Sequence, residues 1–203
     1  MISKRTLLLS TFATGLGATG LGVRSAHADA AGDTAFVQQI GTELVQAVNG
    51  GGSDAQKAAA LIPVVDRSVD SDTIARFCLG VAARTATPQQ LADFKQVFHQ
   101  VLINNITMRI GKFRGVSFTM TQTQVRGDES FVGTVIKRPN ENPNNVQWVV
   151  GHSTGEPKIV DVVAEGVSLR TTQQSDYRSY LQQHNNDVSA LVAALRRQVG
   201  QGA

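Results

Sequence analysis

The chain of 203 residues holds one cysteine, one tryptophan, two tyrosines and five prolines. The lone Cys78 excludes an internal disulfide and any Cys-rich zinc or iron–sulfur site. Charged residues are sparse at 17%, while apolar residues reach 41%. That balance supports a packed core and excludes global disorder. The length favours one domain, or at most two small ones. An excess of one charge sign is also missing once the charges are placed. The formal net charge is +3, which hints at a polyanionic partner. Lys4, Arg5 and Arg24 all precede the first acid, Asp29, so residues 29–203 carry 16 cations and 16 anions. With few aromatics and no basic run longer than Arg196-Arg197, nucleic acid is not an expected partner.

The first 28 residues have a different character. Met1-Ile2-Ser3-Lys4-Arg5 leads into Thr6-Leu7-Leu8-Leu9 and a Gly/Ala/Thr/Leu tract, then Ser25-Ala26-His27-Ala28. Early cations, a modest apolar run and an Ala-x-Ala site describe a secretory signal peptide cleaved after Ala28. The tract carries four glycines and several threonines, which disfavours a spanning anchor. Lys4-Arg5 only faintly resembles a twin-arginine signal, so ordinary export is expected. Gly15-Leu16-Gly17-Ala18-Thr19-Gly20 matches a dinucleotide fingerprint in letters alone. It lacks the preceding strand and the later acid that the mechanism needs. The expected division is a signal over 1–28 and a single domain over 29–203.

The domain begins with helical periodicity. Asp33 is the expected cap of a helix over 34–48, with Phe36, Val37, Ile40, Leu44 and Val48 at helical spacing. Asn49-Gly50-Gly51-Gly52 ends it. Ser53 caps a second helix, which Pro63 should interrupt. Asp70 or Ser71 caps a third, carrying Ile74, Phe77, Cys78 and Leu79. Thr87-Pro88-Gln89-Gln90 is a capping box with proline at the first helical position. The helix it opens should reach Ile110, with Leu91, Phe94, Val97, Phe98, Val101 and Leu102 on one stripe. The period then becomes two. Strands are expected at 116–121, 131–137, 146–150 and 158–164, joined by short turns as in an antiparallel meander. Helices over 172–183 and 188–199 close the chain. This order implies an α+β fold, a four-stranded antiparallel sheet packed against helices.

Chemistry is scarce. His99, His152 and His184 sit on separate elements without ligand spacing, so no metal is expected. Ser168 lacks the closing glycine of a nucleophile elbow. Cys78 reads as a buried, inert thiol. Asp66, Asp70 and Asp72 read as caps and turn residues. Asn105-Ile106-Thr107 is a glycosylation sequon in letters, but it sits mid-helix. Asp161 and Glu165 fall on one face of an otherwise apolar strand. A buried carboxylate needs a partner. A salt bridge to Arg84 or Arg170 answers that need, and an acid/base pair in an exported cone-fold enzyme is the sharper alternative.

At this strand the sequence resembles a known family. Ile159-Val160-Asp161-Val162-Val163-Ala164-Glu165-Gly166-Val167-Ser168-Leu169, continuing to Tyr177, is similar to the signature of the MlaC/toluene-tolerance family of periplasmic lipid-binding proteins. Upstream, Leu79-Gly80-Val81-Ala82-Ala83-Arg84-Thr85-Ala86-Thr87-Pro88-Gln89-Gln90 looks like another family segment, with Ala83 where an aromatic is usual. Residues 159–169 with 173–177 also resemble the hopanoid-associated branch. The resemblance implies an apolar lipid pocket between sheet and helices. It implies a non-enzymatic periplasmic carrier, expected to be a monomer without a cofactor. Such a carrier shuttles phospholipid, or a hopanoid-related lipid, between an outer-membrane lipoprotein–porin complex and an inner-membrane MCE-domain/ABC transporter. The candidate liners are Leu44, Val48, Ile74, Phe77, Phe94, Phe98, Leu102, Phe118, Val135, Trp148, Val150 and Val163. Ordinary core packing would explain each of them equally well. Arg84 is the candidate for a headgroup phosphate at the mouth, or for a structural ion pair.

Overall fold

The computed structural model describes residues 29–108 and 114–200. The expected signal peptide over 1–28, the glycine pattern within it and the expected helix end at Ile110 lie outside the described residues.

The first helix, α1 (Ala30–Asn49), starts earlier than expected. Asp29 caps it by accepting from the Ala31 amide at 3.1 Å. Asp33, the expected cap, lies one turn inside and is 1% exposed. It faces His152 Nε2 at 3.0 Å, which ties the start of α1 to the sheet. An acid in the first turn also suits the helix dipole. Val37, Ile40 and Val48 form the buried stripe, with Leu44 half-buried beside them. At the far end, the buried Lys57 donates from Nζ to the Val48 carbonyl at 2.8 Å. Asn49 grips the chain before the sheet through the Val116 carbonyl and the Gly115 amide, each at 2.8 Å.

Ser53 and Gln56 form a reciprocal capping box at the start of α2 (Asp54–Ser68). Pro63 does not interrupt this helix. Proline removes one amide donor and frees the carbonyl of residue i−4. Here both Pro63 and Ala59 are exposed, so water can satisfy that carbonyl. Leu61, Val64, Val65 and Ser68 on the other side are buried and carry the helix past the proline. Asp70 then caps α3 (Ser71–Leu79), and Gly80 ends it at φ +59°. A single turn, α4 (Ala82–Thr85), precedes α5 (Pro88–Thr107), whose Thr87/Gln90 capping box forms as expected.

Five strands follow: β1 (Ser117–Arg126), β2 (Glu129–Lys137), β3 (Asn144–Gly151), β4 (Lys158–Ala164) and β5 (Val167–Ser168). They pair antiparallel in sequence order. The fifth, of two residues, was not expected. The helices α6 (Leu169–Gln183) and α7 (Val188–Gly200) complete the chain.

The interior divides into apolar bodies. One is helical: Phe94, Val97, Phe98 and Val101 of α5 meet Cys78 and Leu79 of α3, Tyr177 and Leu181 of α6, and Leu191 and Leu195 of α7. The Tyr177 ring stands edge-on to Phe94, with centroids 5.7 Å apart. The second lies between α1, α2 and the sheet, where Val37, Ile40 and Val64 cover Val132, Val150 and Ile159. A smaller one joins Val48 and Leu61 to Val116, with Ile106 of α5 and Ile136 of β2 against it. Among the described residues no helix is long and apolar enough to cross a membrane.

Candidate functional site

The side chains proposed as liners do not converge on one place. Phe94 and Phe98, with Ile74 and Phe77 packed against them, belong to the helical body. Val150, Trp148 and Leu44 belong to the body under α1, and Val48 to the smaller one beside it. Phe118 lies against α1 so closely that a Cβ on Gly41 would stand 2.6 Å from its ring. Gly41 therefore lets the helix settle on the ring. Leu102 is half-buried on α5.

Val135 and Val163 are corrections. Neighbouring strand residues point to opposite faces. Ile136 and Val162 pack toward α1, so Val135 and Val163 face the other way. Val163 lines a recess of about 210 Å³ on the outer face, among Thr121, Gln147 and Asn145. A run apolar on both faces does not itself reveal which side is inside.

The sheet-side body has residues that the liner set left out: Val37, Ile40, Leu61, Val64, Val132 and Ile159. The α1 stripe was a legible signal for the first two. The face is mostly apolar: Ser130 and the Asp33–His152 pair are buried polar groups beside it, and one further pair bonds internally. Trp148 Nε1 donates to Thr134 Oγ1 at 3.0 Å, and Thr134 donates on to the Val146 carbonyl at 3.2 Å. The indole is thereby satisfied without water, and its ring remains apolar surface.

Asp161 and Glu165 do not share a face. Asp161 is 5% exposed. It accepts from the Val162 and Arg170 amides at 2.8 and 2.9 Å, and from Ser168 Oγ at 2.6 Å. Arg170 Nε stands 3.5 Å away, and its guanidinium also meets Glu129 in a two-point contact at 3.0 and 3.2 Å. Of the two arginines considered, Arg170 is the partner. Glu165 has left strand geometry altogether. It sits in the turn after β4 at φ +48°, exposed, and accepts from the Asn145 amide at 2.6 Å. Four partners crowd the Asp161 carboxylate, and Glu165 points elsewhere, so the pair forms no acid/base site.

Apart from Arg84, the other candidates resolve as structural groups. Burial, with Asp161 nearby, pushes the Cys78 thiol up to about 12. Burial likewise pushes the Tyr177 phenol well above its ordinary value. Burial of Asp70 opposes its ionisation. Hydrogen bonds from the Thr73 amide and hydroxyl and from Ser153, with Lys158 nearby, outweigh that and hold its carboxyl below the usual value. Asp66 meets His99 at 2.8 Å, and Asp72 meets Lys95. Among the described residues no cluster of His, Cys, Asp or Glu could hold a metal ion. Arg84 is exposed on α4 and lines an open groove with Arg76, Phe77 and Val81.

The family model described as "MlaC protein" matches residues 35–197. The chain belongs to the MlaC family. This MlaC-family chain is 22% identical over 135 residues to the toluene tolerance protein ttg2D of Pseudomonas putida. That stretch covers 66% of this chain and spans 63% of that relative's length. Its fold is also that of a phospholipid-binding protein from Ralstonia solanacearum, solved in complex with a phospholipid. The two agree at a TM-score of 0.73 and 20% identity, over 86% of this chain and 99% of the other. The likeness establishes the α+β fold, an antiparallel sheet packed with helices.

Proposed function

We propose that the chain is a lipid carrier. It takes up phospholipid in the apolar layer between α1, α2 and the sheet. It shuttles that cargo between outer and inner membranes as the mobile component of an ABC-type lipid transport system. The observation that carries this reading is the shared fold, which spans 99% of a protein solved with a phospholipid bound. The relative named for toluene tolerance is consistent with a role in membrane lipid balance.

Physical chemistry supports carriage. Each acyl CH₂ withdrawn from water is worth about 0.8 kcal/mol, so two long chains need an enclosure to cross an aqueous space. The layer under α1 is divided from the helical body, which lets the two part while each keeps its own contacts. Asp161 is filled by structural bonds, and Asp33 pairs with His152 through one oxygen, which favours carriage over an exported enzyme. The leader-like 1–28 segment supports a periplasmic setting. There the chain would exchange cargo with an inner-membrane MCE-domain/ABC complex and an outer-membrane lipoprotein–porin complex. Residues 159–169 keep a hopanoid-related cargo as the second reading.

Mass spectrometry of a solvent extract of the purified protein tests both. Phospholipid at near one molecule per chain is the expected result. A hopanoid in its place supports the second reading. A lipid-free chain that takes up neither from vesicles sinks the carrier.

A further inference from the structure

Between the end of α3, the turn of α4 and the flank of α6 runs an open groove of about 500 Å³. Arg76 and Arg84 stand on its walls, with Phe77, Val81, Ala83 and Gln174 between them. Val81 is 79% exposed, the most exposed large apolar side chain among the described residues. Neither arginine has an acidic partner among the described residues. Asp72, one turn before Arg76, is taken by Lys95. Asp176 follows Gln174 by two residues on α6, a spacing that turns it away from the groove. Arg170 lies 4.8 Å from the centre of the Phe77 ring but is occupied by Glu129 and Asp161. The groove thus presents two uncompensated guanidiniums around an apolar tip, on a domain whose 29–203 charges balance.

We propose that this groove docks the chain on the anionic surface of a phospholipid membrane. A guanidinium matches phosphate with two parallel hydrogen bonds. An apolar side chain between arginines suits the boundary of headgroup and acyl chain, where long cationic stems snorkel to the phosphates. An acidic peptide fits less well, because the walls are helices whose backbone groups bond internally and give an extended strand nothing to pair with. Two arginines on a neutral domain give contact that is local and reversible, about fivefold in affinity for each. The inference goes beyond cargo binding and stands apart from it. A chain that binds membranes yet carries no lipid would keep this proposal and lose the carrier reading.

Vesicle flotation tests it, with the full chain and its R76Q/R84Q and V81D variants. Each is read as an affinity from a vesicle titration relative to wild type, so a contribution shared through residues 1–28 divides out. Wild type is expected to float with phosphatidylglycerol-containing vesicles and not with phosphatidylcholine alone. R76Q/R84Q should weaken flotation on the order of 25-fold, and V81D should also weaken it, both with wild-type circular dichroism. Equal binding to both vesicle types, or variants that float as wild type does, would overturn the proposal. Capture by a polyglutamate peptide without flotation would overturn it too, in favour of an acidic protein partner.

Discussion

Asp161 and Glu165 look alike in sequence and differ in almost every physical respect. Asp161 is buried at the joint of β4, β5 and α6 and holds four partners. Removing one side of a buried ion pair strands the other charge and typically costs 3–5 kcal/mol. Asp161→Ala is therefore expected to destabilise the protein by roughly 3 kcal/mol or more, read as a lower urea midpoint. Glu165→Ala removes one exposed acceptor and should cost about 1 kcal/mol or less. Equal costs would contradict the assignment. Asp70 makes a prediction about pH. Its carboxyl is held below its ordinary value in the folded chain. Its stabilisation is then complete above the unfolded value of about 3.9, and is lost as pH falls through the lower folded value. Asp70→Asn keeps a helix cap without the charge. Its stability should fall less than that of wild type between about pH 5 and pH 2, and parallel acid-unfolding curves would refute this.

At the scale of elements, stretches with strong local grammar were legible in the sequence. The Thr87 capping box, the α1 stripe and the bounds of β4 all follow from spacing and capping chemistry. What was not legible depends on partners far along the chain. The direction of Val135 and Val163 is set by register with β1 and β3. The tolerance of Pro63 is set by which side of α2 faces water. The α4 turn and β5 are too short to show a period. Glu165 left its strand because the β4–β5 turn takes a left-handed residue there. The candidate site was legible as a list of apolar residues and not as a surface, since nothing local says which body each joins. Pro63 yields a prediction of its own. A proline inside an exposed helix face is about 3 kcal/mol worse than alanine, while its stiffness in the unfolded chain returns up to about 1 kcal/mol. Pro63→Ala should raise the unfolding midpoint by about 2 kcal/mol of stability. A lower midpoint would mean that α2 requires its proline.

Across the whole molecule, α1 is the helix that covers the sheet-side apolar body. It is fastened by polar contacts at both ends: Asp33 with His152 and Thr34 with Thr123 at one, Lys57 and Asn49 at the other. Between them it is held by apolar contact and by an ion pair from Glu43 to Arg67 of α2. If the carrier reading is right, lipid enters only when α1 lifts from the sheet. The Thr34 and Thr123 hydroxyl oxygens are 2.7 Å apart, across α1 and β1, so a T34C/T123C pair can close that gap covalently. The oxidised variant should take up no phospholipid from vesicles, and reduction should restore uptake. Uptake undiminished by the crosslink would place the entrance elsewhere.

Cys78 bears on how such motion can be watched. Its thiol is 1% exposed, bonded to the Arg170 carbonyl and held protonated far above neutral pH. Only thiolates react readily with maleimides or iodoacetamides. The folded chain is therefore chemically silent to these labels. Any cysteine placed on its surface becomes a unique attachment point for a dye or spin label, with no native residue to remove first.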